Sequence, residues 1–155
     1  MKTLKEKFLT ELEECDKKIQ AAEHILTVTY PLIKEKKLLI NLVESAYHLL
    51  EKLINLVIDF EYKNKTVSFY GDFHTNWETF REIHKKYIEK DVLANLEKIR
   101  KIYLAHKQSP IEFTKQDEFV IMLDSLDIET VNQDKLMSML NALKNLSQVL
   151  KKRWQ

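Results

Sequence analysis

The chain has 155 residues and a formal net charge of +1, with 45% hydrophobic and 32% charged residues. This length and composition are typical of one folded domain with a charged surface rather than of a disordered chain. The near-zero charge excludes a global field that would attract nucleic acid or an anionic membrane, so any such binding needs a local patch. We therefore expect a single domain over residues 1–155.

The rare residues exclude several classes of site. Gly71 is the one glycine in the chain, whereas phosphate-binding loops and nucleophile elbows need several glycines at fixed spacing. Cys15 is the one cysteine, which excludes an internal disulfide and a multi-cysteine zinc site. Because Cys15 falls in an apolar helical row, we expect a small buried side chain there. The sequence predicts no cofactor and no metal.

Two segments bear on localisation. Residues 1–15 are charged and lack the apolar centre of a signal peptide. Residues 38–60 are the most hydrophobic stretch but contain five ionisable side chains, too many for a membrane span. The single cysteine fits a reducing compartment. We therefore expect a cytoplasmic protein that does not bind membranes.

The N-terminal half predicts two long helices. Thr3 and Glu6 have the spacing of a capping box, and apolar residues then recur at helical steps: Leu4, Phe8, Leu12, Cys15, Ile19, Ala22 and Leu26. The β-branched run 27–29 and Pro31 are predicted to end this helix. A second helix to about Glu61 has a wider apolar arc, which predicts either the central element of the fold or a dimer face.

The middle of the chain is predicted to be a loop followed by a helix. Residues 62–75 contain the glycine and several β-formers, with an extended piece expected at 66–70. Thr75 and Glu78 form a second candidate capping box, and a break is expected near 87–90. The aromatic residues of this region are predicted to pack over the end of the bundle: Tyr62, Phe69, Tyr70, Phe73, Trp77 and Phe80.

In the C-terminal half, the spacing of hydrophobic residues changes from the helical period to strand-like alternation and then back to the helical period. Asp91 is predicted to cap a helix that Pro110 ends. Segments 111–114 and 118–123 alternate around a polar turn and predict a small β-hairpin. Thr130 has capping-box spacing ahead of a last, basic amphipathic helix, whose apolar stripe favours core packing. The predicted fold class is all-α, an up-and-down bundle of four to five helices with a small β-hairpin before the last helix.

The window 98–107 is locally basic, with four basic side chains and no acidic one. One interpretation is structural: these cations lie near a helix C-terminus, where they complement the macrodipole. On this interpretation Arg100 pairs with Glu97 and His106 closes the helix end. The other interpretation is a contact with nucleic acid.

Arg100, five further residues and His106 lie near the end of a late helix, and the run His106-Lys107-Gln108-Ser109-Pro110-Ile111-Glu112-Phe113 follows. The pattern resembles the Arg-x(4–6)-His motif of the HEPN superfamily, and the run is similar to a poorly characterised archaeal-type branch of it. The resemblance is clearest over residues 77–150. It implies a helical, dimeric domain whose groove receives motifs from both chains.

The resemblance also implies roles for single residues. In metal-independent RNA cleavage His106 would be the general acid or base, and Arg100 would hold the scissile phosphate. Lys101 and Lys107 would contact the RNA backbone, and Ser109 would supply a hydrogen bond. Implied partners are a second copy, RNA or a nucleotide, and a nucleotidyltransferase-type protein.

Helix geometry limits how Arg100 and His106 can act together. Six residues place them roughly 240° apart around a straight helix and about 9 Å apart along its axis. Either the helix loosens before Ser109, or two chains share one site. Three functions stay open: a HEPN-like module that binds RNA, a nucleotide or a partner protein; a metal-independent ribonuclease of toxin or defence type; and a structural helical dimer.

The remaining histidines indicate little chemistry. His48 follows Glu44 by one turn, which predicts a hydrogen-bonded pair rather than a metal site, since no second Glu-x-x-His set exists. Arg81 and His84 share a helical face, where a packed imidazole is expected. His74 has no obvious partner in the sequence.

Overall fold

A computed structural model describes residues 1–154, so Gln155 of the predicted domain lies outside the described residues. The fold is mostly helical, with a small antiparallel sheet before the last helix. The helices are α1 (Leu4–His24), α2 (Tyr30–Ile33), α3 (Lys37–Lys63), α4 (Phe73–His84), α5 (Lys90–Gln108) and α6 (Gln133–Trp154). The strands are β1 (Ile111–Lys115), β2 (Glu118–Met122) and β3 (Ile128–Val131). The mostly helical class is therefore as predicted, but the count of helices differs because the short α2 was not predicted, and the hairpin belongs to a three-stranded sheet.

The start of α1 is as predicted, but its end is not. The Thr3 hydroxyl accepts a hydrogen bond from the Glu6 amide at 3.0 Å, which satisfies one free donor of the first turn. The β-branched run does not end the helix: residues Ile25–Thr29 form a π-helical segment that leads into α2. Pro31 lies in the first turn of α2, where its missing amide hydrogen is not needed. The chain leaves the helix only at Lys34, which is left-handed with φ 57°.

Helix α3 is the central element of the bundle, which was one of the two roles predicted for it. It packs against α1, α4, α5 and α6. Its apolar arc is wide because neighbours cover most of its circumference, and its fully buried side chains include Leu50, Leu53 and Ile54. Burial of each such side chain stabilises the fold by roughly 1.5–3 kcal/mol relative to exposure.

Two helix starts differ from the predictions. The Asp72 carboxylate, not Thr75, caps α4 by accepting a hydrogen bond from the Thr75 amide at 2.8 Å. Glu89 is the N-cap residue of α5 without a side-chain hydrogen bond, and Asp91 lies in the first turn.

The extended piece expected at 66–70 is not a strand in the described chain. The break near 87–90 is confirmed.

The aromatic segment divides into buried and exposed residues. Trp77 and Phe80 are fully buried and belong to the core, and Phe73 packs against it. Tyr62, Phe69 and Tyr70 are exposed, so the expectation that this group covers the bundle end holds only in part.

The sheet has three strands in the order β1-β2-β3, both pairs antiparallel. The third strand was not predicted, because four residues with a central glutamate carry little alternating signal. Thr130 lies within β3, and Asn132 takes the predicted capping role by accepting from the Lys135 amide at 2.9 Å. Phe119, Ile121 and Val131 face the core.

Among residues 1–154, every helix is too short or too polar to cross a membrane.

Candidate binding surface around Arg100 and His106

Arg100 is held in place by aromatic rings and a carboxylate. Its Nη1 donates to Glu97 Oε1 at 3.2 Å, and the second oxygen of Glu97 accepts from Trp77 Nε1 at 2.9 Å. The guanidinium carbon lies 5.7 Å and 5.5 Å from the ring centroids of Phe73 and Trp77, within the range of cation–π attraction. The side chain is only 11% exposed. The ion pair with Glu97 predicted by the structural interpretation is therefore present.

The structure gives Arg100 a second partner that the sequence did not indicate. Arg100 Nη2 lies 3.1 Å from His74 Nδ1, and His74 is exposed. Since a guanidinium can only donate, Nδ1 is the acceptor, and neutral His74 carries its proton on Nε2. Arg100 and His74 are 26 residues apart, and α4 brings them together. No spacing rule connects residues on two helices, so the contact left no signal in the sequence.

His106 lies between two carboxylates. Its Nδ1 is 2.5 Å from Glu112 Oε2, and its Nε2 is 3.6 Å from Glu44 Oε1. The chain turns at Ser109-Pro110, which brings Glu112 of β1 back beside the helix end. Contact with Glu112 orients the imidazole and fixes a proton on Nδ1, as carboxylates do for histidines that act as bases.

The other predicted contact residues are divided between different sides of α5. Lys107 Nζ lies 4.0 Å from Glu44, the carboxylate that also lies near His106. Lys101 Nζ lies 3.1 Å from Glu129 of β3, so this side chain faces the sheet rather than Arg100. The Ser109 hydroxyl lies 2.7 Å from the carbonyl oxygens of Ile111 and Met122, and therefore joins the helix end to the sheet.

Aromatic rings lie between Arg100 and His106. Tyr103 follows Arg100 by one turn and stacks on Tyr47 of α3, with ring centroids 3.8 Å apart and planes 3° from parallel. The edge of Phe73 meets Tyr47, and Lys107 Nζ lies 5.4 Å from the Tyr103 ring. Burial raises the pKa of Tyr47, so its phenol stays a neutral donor at physiological pH. Basic and aromatic side chains therefore alternate along one face of α5.

The motif residues remain on one unbroken helix. Helix α5 continues to Gln108, so it does not loosen before Ser109, and the first of the two geometric options is wrong. On one regular helix the two side chains point in directions roughly 240° apart, so we do not expect a single chain to bring Arg100 and His106 to one phosphate. Carboxylates accompany the basic side chains throughout, so the predicted basic groove is mixed in charge: Glu44, Glu97, Glu112 and Glu129.

Two further histidines have contacts that the sequence did not indicate. His48 does not pair with Glu44; it is exposed and lies edge-on to the Tyr47 and Tyr103 rings. His84 is buried, as predicted, and its Nε2 lies 2.6 Å from Glu61, a partner the sequence did not indicate. In the described part of the chain, no group of three or more His, Cys, Asp or Glu side chains is arranged so that it could hold a metal ion.

No family model, curated protein or solved structure matches this chain. The resemblance to HEPN domains, and everything it implies, therefore stays a prediction from residues 77–150.

Proposed function

We propose that the chain is a HEPN-like, dimeric binding domain, and that its ligand is single-stranded RNA or a nucleotide. The face of α5 that contains Arg100, Tyr103 and Lys107, together with His74, is the binding surface. The observation that carries the proposal is the alternation of basic and aromatic side chains on this face. Single-stranded nucleic acids bind such surfaces by combining phosphate contacts with stacking of bases on aromatic rings.

Arg100 supports a role in binding because it is already oriented. Glu97 and His74 each take one guanidinium donor, and the Phe73 and Trp77 rings restrict its plane. An arginine held in this way loses little conformational entropy when a phosphate arrives. His74 adds the Nε2 hydrogen as a further donor beside it.

The distance between Arg100 and His106 favours a binding function over a nuclease in which one chain supplies both residues. Arg100 and His106 are about 9 Å apart along a regular helix, and His106 has a carboxylate near each ring nitrogen. A shared site would need Arg100 of one chain and His106 of a second. The proposed dimer is the assembly in which two chains could supply these two residues.

One observation favours ribonuclease activity as a second candidate. The contact between His106 Nδ1 and Glu112 is 2.5 Å, whereas Nε2 lies 3.6 Å from Glu44, so Nε2 is the nitrogen that could transfer a proton to a substrate. General acid–base catalysis by an oriented histidine needs no metal. In a dimer this residue would act on the phosphate that Arg100 holds.

Binding is tested by fluorescence anisotropy with a labelled single-stranded RNA of about 15 nucleotides at low salt, where phosphate contacts are strongest. We expect saturable binding that weakens several-fold in Lys107→Gln and Tyr103→Ala. The matched control is Lys144→Gln, since Lys144 pairs with Glu23 away from this surface. Equal affinities of all three variants and the wild type would contradict the proposal.

Cleavage is tested separately on the same RNA with a metal chelator present. Cleavage of the RNA by the wild-type protein, but not by the His106→Asn variant, would support ribonuclease activity. Intact RNA with a folded dimer would exclude it while leaving the binding proposal standing. Sedimentation at micromolar concentrations tests the dimer, and a monomeric mass throughout that range would overturn it.

A further inference from the structure

A cleft between α1 and α3 adjoins the surface described above through His48, but neither Arg100 nor His106 lines it. Its volume is about 430 Å³, within the range of small-molecule sites. Small side chains leave space between the two helices: the cleft is lined by Ala21 and Ala22 of α1 and by Ser45 of α3. Larger apolar side chains complete its walls, namely Ile25, Leu42 and Leu49. The cleft is therefore a gap in otherwise close helix packing, with a mainly apolar surface.

The rim of this cleft is basic. Lys18, His48 and Lys52 line it, and no acidic residue does. Within residues 1–154 Lys18 has no ion pair, and Lys52 contacts Glu11 at 3.5 Å with both side chains about half exposed. Glu11 therefore offsets part of the charge of Lys52, whereas no ion pair among the described residues offsets the charge of Lys18. Among the residues that the structure describes, the lining of the apolar gap therefore includes basic side chains and no acidic one.

The backbone changes its geometry at the same place. The π-helical segment begins at Ile25, a wall residue of the cleft. Such segments cost stability relative to regular helix and occur often at functional sites. This second feature distinguishes the cleft from an ordinary packing defect.

We propose that the cleft binds an anionic amphiphile, a free medium-chain monocarboxylate, with its chain between α1 and α3 and its carboxylate at Lys18 and Lys52. A purely ionic ligand such as phosphate would leave the apolar walls without a partner. The rim disfavours a cationic amphiphile through charge repulsion. This inference does not depend on the proposed RNA binding, because none of the motif residues lines the cleft.

The test is calorimetric titration of the full chain with decanoate below the concentration at which it forms micelles. We expect one saturable site for decanoate, and no saturable site for butyrate or decyltrimethylammonium. Butyrate has the head group without the chain, and the ammonium compound has the chain with the opposite charge. Saturable binding of decyltrimethylammonium with equal affinity, or no decanoate binding, would overturn the proposal.

Variants locate the site. Ser45→Leu places a larger side chain at the mouth of the cleft and improves helix propensity, so the chain should stay folded and lose decanoate binding. Lys18→Glu should raise the decanoate Kd roughly tenfold. The controls are Ser138→Leu on the exposed side of α6, and Lys17→Glu, whose side chain pairs with Glu14 outside the cleft. Equal loss in a variant and its control would contradict the assignment.

Discussion

Arg100 Nη2 lies 3.1 Å from His74 Nδ1, and this contact joins two helices at the proposed binding surface. The guanidinium also donates to Glu97 and lies near two aromatic rings, so Arg100 has a structural role whether or not it binds a ligand. Its Nε is buried and has no hydrogen-bond partner within residues 1–154. An unsatisfied buried donor lowers the stability of the fold, and the other contacts of Arg100 offset this loss.

Replacing Arg100 by alanine is expected to lower the free energy of unfolding by about 1–2 kcal/mol, because cation–π contacts and packing of a mostly buried side chain are lost together. Urea unfolding of the purified variant measures this. The control is Arg81→Ala, which removes an exposed pair with Glu78 at 3.9 Å and should cost less than about 0.5 kcal/mol. Equal losses in the two variants would mean that the Arg100 cluster adds no stability.

Local signals in the sequence predicted most of the fold, and contacts between distant residues account for what was missed. The apolar repeat of α1 and the alternation around residues 115–117 depend on neighbours in the chain, so both elements were found. The end of α1 was wrong because packing of Leu26 and Tyr30 into the core continues the helix past β-branched residues. Tertiary burial outweighed local propensity there.

The candidate site was predictable in part for the same reason. Glu97 precedes Arg100 by three residues, a spacing that helical geometry turns into a contact. His74 and Glu112 come from other elements, and nothing local to Arg100 or His106 identifies them. The sequence therefore indicates the candidate residues Arg100 and His106 but not the groups that orient them.

The buried pair of His84 and Glu61 is expected to contribute specifically to stability. Both side chains are almost completely buried, so Glu61→Ala would leave the imidazole without a partner in the core and cost about 3 kcal/mol. Urea unfolding measures the loss, with Glu82→Ala as the exposed control. The double variant Glu61→Leu with His84→Phe should recover much of that loss, since it removes both polar groups. A double variant as unstable as Glu61→Ala would contradict this explanation.

The cap of α4 should make stability depend on pH in the acidic range. The hydrogen bond from Thr75 lowers the pKa of Asp72 below its usual value of 3.8. Because the folded-state pKa is the lower one, the contribution is complete above the unfolded-state pKa and is lost as the pH falls through the folded-state value. Asp72→Asn keeps the acceptor oxygen but removes this titration. We expect the wild type to lose more stability than Asp72→Asn between about pH 5 and pH 2. Parallel pH profiles of the urea midpoint would exclude the effect.

The thiol of Cys15 is expected to be unreactive in the folded chain. Burial raises its pKa above the ordinary value of 9.0, and this outweighs the opposing effect of Lys52 and Lys18. The side chain is also fully buried, so a reagent reaches it only after the helices open. With Ellman's reagent at about pH 8, native protein should therefore react at least roughly 100-fold more slowly than protein in denaturing urea. As a control, the exposed thiol of the variant Cys15→Ser with Lys17→Cys should react rapidly in both states. Rapid reaction of the native wild type would show that the thiol is accessible, and that α1 does not pack against α3 at this position.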